Sequence, residues 1–454
     1  MDKIIARIRE NSEKHREELK ELLRIPSISA DPERRGDVET TARWLLTRLQ
    51  GLGISSEIIP TAGHPIVYGE HLHAEGAPTI LVYGHYDVQP VDPLELWDSP
   101  PFEPTEREGQ IVARGASDDK GQLLIHLLAV EAFLQERGEL PVNLKIVFEG
   151  EEEVGSPNLP PFIEENREKL ACDAVLVSDT SFFAKGMPSI LYGLRGLAYV
   201  EVILRGPNRD LHSGEFGGAV ANPADVLARM IAALHDEDRR VAVPGFYDEV
   251  RELSDTERET FASLPHDEND YRADLEVEAL EGEKGFSTLE RLWARPTLEV
   301  NGMVSGFTGE GAKTVLPAEA SCKISCRLVP NQDPEQIETL LEARLRELCP
   351  PSVTLEFIRH HGGGPFLTEP DNPYVETAKK ALEEAFGAKA VLVRGGGSVP
   401  ITGVFTEQLG APCVLMGFGL PDDRLHSPNE KFDWDQFHRG IEASARFMQE
   451  VVGS

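Results

Sequence analysis

Five places in this 454-residue chain put a metal-ligand side chain where an apolar segment ends or a helix begins. The run Thr79 to Tyr83 stops at Gly84, and His85 and Asp87 follow, two residues apart. Asp118-Asp119 stand in Arg114-Gly115-Ala116-Ser117-Asp118-Asp119-Lys120-Gly121, just before a long apolar helix pattern. Val142 to Phe148 runs into Glu149-Gly150-Glu151-Glu152-Glu153, and Ala174 to Val177 ends at Ser178-Asp179-Thr180. His426 lies in the loop after the last strand pattern, Cys413 to Gly417. Imidazole and carboxylate are ligands for divalent cations of the zinc type. His85 can bind a metal through one ring nitrogen while Asp87 orients the other nitrogen or a second group. Two histidines and three carboxylates suit two ions that share a bridging carboxylate. Such ions, ~3.5–4 Å apart, lower the pKa of a shared water and polarise a carbonyl. A neighbouring carboxylate that is not a ligand can then carry the water's proton to a leaving amine, and consecutive glutamates offer both roles. A solvated acidic turn is the alternative for Glu151-Glu152-Glu153, and a helix N-cap is the alternative for Asp118-Asp119.

Strands alternating with helices must bring these positions to one edge. Ligands of open α/β sheets gather at the carboxyl ends of the strands. Ile4, Ile5, Ile8, Leu19, Leu22 and Leu23 have helical spacing up to Ile25-Pro26, and Asp37 to Leu52 predicts a second helix. Ser55 to Ile59 predicts a strand. His126, inside the helix after Asp118, is expected to be structural. The pattern changes near Gly193-Leu194-Arg195-Gly196. From there, strand (Leu197 to Leu204), helix (Pro223 to Leu234), strand (Thr297 to Asn301), strand (Ala320 to Val329), helix (Pro334 to Leu348) and strand (Val353 to Ile358) form a β-α-β-β-α-β series. That is the ferredoxin-like plan, interrupted by about sixty acidic, poorly patterned residues from Asp236 to Ala294. His360-His361-Gly362-Gly363-Gly364-Pro365 predicts a hinge back. The expected architecture is α/β. A catalytic domain with a mostly parallel sheet spans residues 1–194 and 361–454. An inserted ferredoxin-like α+β domain spans 195–360.

Lysine plus arginine number 45 and aspartate plus glutamate 78, a net charge of −33. That balance argues against nucleic acid and anionic membrane as partners, because binding phosphate needs a basic face. Five cysteines (Cys172, Cys322, Cys326, Cys349, Cys413) with no Cys-x-x-Cys pair imply reduced thiols and no thiolate zinc site. The charged, amphipathic stretch Met1 to Leu23 does not have the form of a signal peptide. No segment reaches the ~20 apolar residues of a membrane span. A cytoplasmic protein is expected.

Seven runs taken together resemble the two-metal peptidase family of cytosolic non-specific dipeptidase, carnosinase, aminoacylase and succinyl-diaminopimelate desuccinylase. These are Gly84-His85-Tyr86-Asp87-Val88-Gln89-Pro90, the Arg114 to Gly121 run, Glu152-Glu153-Val154-Gly155-Ser156, Asp210-Leu211-His212-Ser213-Gly214, Gly311-Ala312-Lys313-Thr314-Val315-Leu316-Pro317, Arg327-Leu328-Val329-Pro330-Asn331 and His426-Ser427-Pro428-Asn429-Glu430. They cover nearly the whole chain and look most like the dipeptidase branch. The resemblance implies two divalent ions per subunit, with zinc the first expectation and manganese or cobalt the alternatives. His85 and Asp179 would hold one ion, Glu153 and His426 the other, and Asp118 would bridge. Asp87 would orient His85, and Glu152 would be the general base. The Val154-Gly155-Ser156 after the pair sets the glutamate register, and Lys120 two residues on selects Asp118 over Asp119. The resemblance further implies that His212 reaches a neighbouring subunit's site to stabilise an oxyanion, in a homodimer formed through the inserted domain. Arg327 would clamp the substrate's C-terminal carboxylate, assisted by Thr314, Gly397 and Ser398. The Gly395-Gly396-Gly397 run is no phosphate loop, since no Gly-Lys-Ser/Thr follows. The expected activity is metal-dependent hydrolysis of dipeptides or short peptides with a free C-terminal carboxylate. An N-acyl-amino-acid deacylase, a carboxypeptidase and a non-catalytic binding scaffold are the alternatives. The insertion 236–294 is expected to be dipeptidase-branch decoration near the hinge.

Overall fold

The strand Thr79–His85 is buried at every position after Thr79, because sheet neighbours and helices cover both its faces. In the computed structural model, which describes residues 1–360, 362–397 and 400–453, this strand is central to the larger of two units. It runs parallel to Asn143–Glu149 on one side and to Ala174–Val177 on the other. Cys413–Leu415 continues the parallel set beyond Ala174–Val177. Antiparallel strands flank this parallel centre. Ile66–His71 and then Ser55–Ile59 lie on one side, and Ser189–Leu194, through Leu191, lies on the other. The register decides where chemistry can occur. His85 sits opposite Glu149 and Tyr83 opposite Val177, so residues 85–87, 150–153 and 178–179 leave the sheet at one edge.

Helix Lys120–Arg137 is buried from Lys120 to Phe133 and ends at Gly138, whose φ of 76° is the left-handed stop that glycine adopts without strain. It packs against Thr79–His85 and against Trp434–Glu450. Gly84 is required by that approach. A Cβ there would lie 2.9 Å from Asp119 Oδ2 and 3.3 Å from Leu123 Cβ. The amino-terminal helical pattern is divided in two, Asp2–Glu10 and Ser12–Leu23, at Asn11. Ten residues without an apolar side chain separate Ile8 from Leu19, so no continuous stripe pins a single helix there.

His126 is fully buried in its helix, as expected of a structural residue. Ser178 Oγ donates to Met416 O at 2.7 Å and therefore accepts from His126 Nε2 at 2.7 Å, which leaves Nδ1 to accept from Ser444 Oγ at 2.9 Å. The neutral ring is thus satisfied, and burial lowers its pKa to about 3. A depressed folded-state pKa means that the unfolded chain takes the proton first as pH falls below about 6.5. Stability is lost from there down toward the folded value. The drop in unfolding free energy between pH 7 and pH 5 is expected to be about 2 kcal/mol smaller in His126→Gln than in the natural chain. Urea unfolding of the metal-free protein at the two pH values measures it.

The second unit comprises Gly193–Leu367 and Arg394–Gly403. Its sheet has the order Thr297–Ser305, Glu319–Leu328, Gly196–Arg205, Thr354–Arg359, antiparallel throughout. Ala198, Val200, Val202 and Leu204 alternate toward a core shared with helices Pro223–Ala232 and Pro334–Leu348. This is the ferredoxin-like arrangement. The acidic stretch from Asp236 to Ala294 is more ordered than its composition suggests. It holds helices Asp255–Ser263, Glu268–Asp274 and Thr288–Trp293. Ser254 with Glu257 and Ser287 with Glu290 form capping boxes that start the first and third. The segment Arg394–Gly403, expected with the returning catalytic domain, packs with the second unit.

Candidate metal centre and substrate elements

Asp118 is the hinge of the site in the first unit. Its Oδ1 lies 3.0 Å from His85 Nε2, and its Oδ2 lies 2.9 Å from His426 Nε2. Asp179 Oδ2 is 3.8 Å from His85 Nε2, and Glu153 Oε2 is 3.4 Å from His426 Nε2. The ligand atoms of His85, Asp118 and Asp179 all lie within 4.8 Å of one another, and so do those of Asp118, Glu153 and His426. Two nitrogen-and-oxygen donor sets thus share one carboxylate, a donor chemistry that fits two divalent cations.

The electrostatics also suit the binding of positive charge. Glu152, Glu153, Asp118 and Asp179 crowd around two imidazoles. Burial, with Asp179, Glu153 and Asp118 adding to it against His85, pushes Glu152 up to about 9. Burial and Asp118 push Glu153 up to about 8 and Asp179 to about 6. A hydrogen bond to Asp118 raises His426 to about 9. Burial acts to raise Asp118, yet hydrogen bonds from His426 and His85 hold it below the usual carboxylate range. These groups titrate as one cluster, and cations would replace the protons it holds.

The side chains are fixed by backbone contacts. Asp87 accepts from the N–H groups of Glu152 at 3.2 Å and Glu153 at 3.1 Å, so it orders the glutamate pair. His85 Nδ1 is 3.1 Å from the Asp87 carbonyl oxygen and 3.4 Å from its carboxylate. Gln89 donates to Glu153 Oε2 at 2.7 Å. Asp119 Oδ2 accepts from the His85 N–H at 3.1 Å.

Glu430 is a positioning residue that reading the sequence did not single out, although it closes the His426 run. It is fully buried. Oε1 accepts from Ser117 N at 2.9 Å and Asp118 N at 3.1 Å, while Oε2 accepts from Gly115 N at 3.0 Å and Arg114 Nη1 at 2.8 Å. One carboxylate therefore ties the loop of His426 to the loop of Asp118. The signal in the sequence was a glutamate four residues past a candidate ligand histidine, next to a strand.

The other expected site residues belong to the second unit. His212 is exposed on the short strand Leu211–His212, paired with Val315. Its Nδ1 accepts from Gly214 N at 3.0 Å, which puts the proton of the neutral ring on Nε2 as a donor. Thr314 is adjacent, its carbonyl accepting from Ser213 N at 3.2 Å. Arg327 lies on Glu319–Leu328, opposite Leu197 and Thr297. The Gly397 carbonyl accepts from Arg195 N at 3.1 Å. Ser398 lies outside the described residues.

Residues 81–450 match Peptidase family M20/M25/M40. The chain is 33% identical to the Cys-Gly metallodipeptidase dug1 of Schizosaccharomyces pombe, across all of this chain and 98% of that protein. It is 31% identical to the beta-Ala-His dipeptidase of Homo sapiens, across 95% and 85% of the two chains. Among solved structures it is similar to an M20 family metallo-carboxypeptidase from Sulfolobus solfataricus, with a TM-score of 0.85, 36% identity and 96% and 99% of the two chains covered.

Proposed function

This chain belongs to peptidase family M20/M25/M40, and from that premise we propose that it is a dipeptidase that uses the Asp118 cluster as a two-metal centre. It is a metal-dependent hydrolase of dipeptides. The observation that supports the site assignment is the division of one carboxylate, Asp118, between two histidine-containing ligand sets.

In this reading His85, Asp118 and Asp179 hold one cation, and Asp118, Glu153 and His426 hold the other. Zinc suits these donors, with manganese and cobalt as alternatives. The cations would supply Lewis acidity for the peptide carbonyl and acidity for the attacking water, and would favour the ionised form of nearby carboxylates. Glu152, its backbone tied to Asp87, takes the proton from the water and returns it to the departing amine. Arg327 binds the substrate's C-terminal carboxylate through its planar fork, with Thr314, Gly397 and Ser398 assisting. His212 presents its Nε2–H to the oxyanion of the tetrahedral stage, in the neighbouring subunit of a homodimer.

An exposed sheet edge supports that dimer. Thr297–Ser305 is an outer strand of its sheet and leaves Met303 46% and Val304 64% exposed. An edge strand that leaves apolar side chains exposed in this way can serve as a pairing surface. Met303→Lys combined with Val304→Glu is expected to convert a dimer to a monomer and to remove most activity, as read by light scattering and turnover together. A reducing compartment, the cytoplasm, suits the five free cysteines. Among the described residues no helix is long and apolar enough to cross a membrane.

Carboxypeptidase action on longer peptides is the second reading, favoured by the Sulfolobus solfataricus match. Turnover of dipeptides, longer peptides and N-acetyl amino acids, before and after chelation, decides. Dipeptides alone, with activity lost on chelation, are expected. Equal turnover of longer peptides would favour the carboxypeptidase. Turnover of N-acetyl amino acids alone would make it a deacylase.

A further inference from the structure

Both peptide groups that flank Asp87 are held by one residue of the amino-terminal segment. Ser27 Oγ donates to Tyr86 O at 2.6 Å, and Ser27 O accepts from Val88 N at 2.9 Å. Ile28 then meets Val88 in an isolated parallel bridge. Ser27, Tyr86, Asp87 and Val88 are all fully buried. They lie past the end of the strand Thr79–His85. The Tyr86 N–H still reaches the neighbouring strand, at Glu149 O (2.8 Å), and beyond it Ser27 takes over from the sheet.

The Ser27 turn is itself anchored by a buried lysine. Lys120, the first residue of the helix after Asp118-Asp119, is 0% exposed, and its Nζ is spent on main-chain carbonyl groups. It donates to Ile25 O at 2.6 Å and to Leu22 O at 3.3 Å. Ile25 O also accepts from Ser27 N at 2.9 Å. Pro26, between them, brings no N–H of its own to hold the turn. Gly115 makes room for this contact. A Cβ there would lie 3.3 Å from Lys120 Cδ and 2.8 Å from Val88 Cγ1. Burying an amine this deeply costs desolvation that an apolar side chain of similar size would not. That cost points to a task for its donors.

We propose that Lys120 and Ser27 are positioning residues for the hydrolysis: they clamp the backbone on either side of Asp87, and Asp87 in turn sets Glu152. The proposal rests on the dipeptidase reading above, with Glu152 as the base. Asp87 accepts from Glu152 N and Glu153 N, so a shift of its backbone moves the base and a metal ligand together. Misplacing a reacting group by about 1 Å costs ~10²-fold in rate. The clamp also joins two loops of the site. Lys120 belongs to the loop of Asp118, Ser27 grips the loop of Asp87, and both meet at Ile25 O.

The test measures zinc content, kcat and KM for a dipeptide at saturating zinc. It compares the natural enzyme, Ser27→Ala, Lys120→Met, Glu152→Gln, and each of the first two combined with Glu152→Gln. Ser27→Ala and Lys120→Met are each expected to keep two ions, to lower kcat by about 10- to 100-fold and to leave KM within about threefold. On the Glu152→Gln background either substitution is expected to cost less than about threefold more, because the group being positioned has already gone. A residue that only supports the fold would cost the same factor on both backgrounds. In the metal-free proteins, hydrogen exchange at the Glu152 and Glu153 amides is expected to quicken by about tenfold or more in both clamp variants and not in Glu152→Gln. If Lys120→Met does not fold, judged by its melting curve, Ser27→Ala decides, since it removes one hydroxyl and leaves the main-chain bonds of residue 27 in place. An unchanged kcat or unchanged exchange in a folded variant, a loss explained by missing zinc, or equal factors on both backgrounds would overturn the proposal and leave the dipeptidase reading intact. A zinc-loaded natural enzyme that turned over no dipeptide, or a Glu152→Gln variant as active as the natural enzyme, would remove the reading and the proposal with it.

Discussion

Glu152→Gln is expected to keep both metal ions and to lose dipeptide turnover by about 10³-fold or more, the scale set by removing a positioned general base. The substitution is nearly isosteric. It preserves the backbone N–H that Asp87 accepts, and it touches neither donor set around Asp118. What it removes is the carboxylate that can take a proton and give it back. Because burial and neighbouring carboxylates already push Glu152 up to about 9 in the metal-free chain, a neutral amide there does not strain the fold. Metal analysis and turnover on the same sample separate the outcomes. Full metal content with activity lost supports the assignment, whereas an active variant would move the proton-carrying role to another group. A metal-depleted variant would make Glu152 a ligand instead of a base.

Asp118→Asn has the second large expected effect. Both Asp118 oxygens are engaged, one beside His85 and one beside His426. Asparagine offers a single oxygen and an NH2 group that donates where a ligand must accept. Metal should therefore be lost from both positions. Asp179→Asn should lose it from one, because Asp179 belongs only to the His85 set. Isothermal titration with zinc is expected to give two ions for the natural chain, one for Asp179→Asn and none held tightly by Asp118→Asn. Equal stoichiometries for the two variants would show that no carboxylate is shared. Thermal melting of the metal-free proteins controls for unfolding.

Part of this account was legible from residues alone because the physics is local. A strand buried on both faces reads as an unbroken apolar run, and the residue that stops it marks the sheet edge. Thr79–His85 and Ala174–Val177 announce themselves in that way. Helix Pro334–Leu348, with Asp333 capping Gln336 N and proline at its first turn, was equally readable. Other features were present but obscured. The Ser254/Glu257 and Ser287/Glu290 boxes are local signals, hidden by the acidity around them. Still others are decided by contacts distant in sequence. Nothing near Glu430 says that it will collect N–H groups from residues 115, 117 and 118. Likewise, nothing near Arg195 says that it will meet the carbonyls of residues 396 and 397. The choice between Asp118 and Asp119 and the glutamate register depended on family resemblance, because adjacent carboxylates are chemically alike until a backbone aims them.

Anomalous diffraction from crystals of the zinc-loaded protein would test the two-cation centre most directly. Two peaks are expected, one among His85, Asp118 and Asp179 and one among Asp118, Glu153 and His426, with an Asp118 oxygen ligating each. A single peak, or peaks away from Asp118, would contradict it.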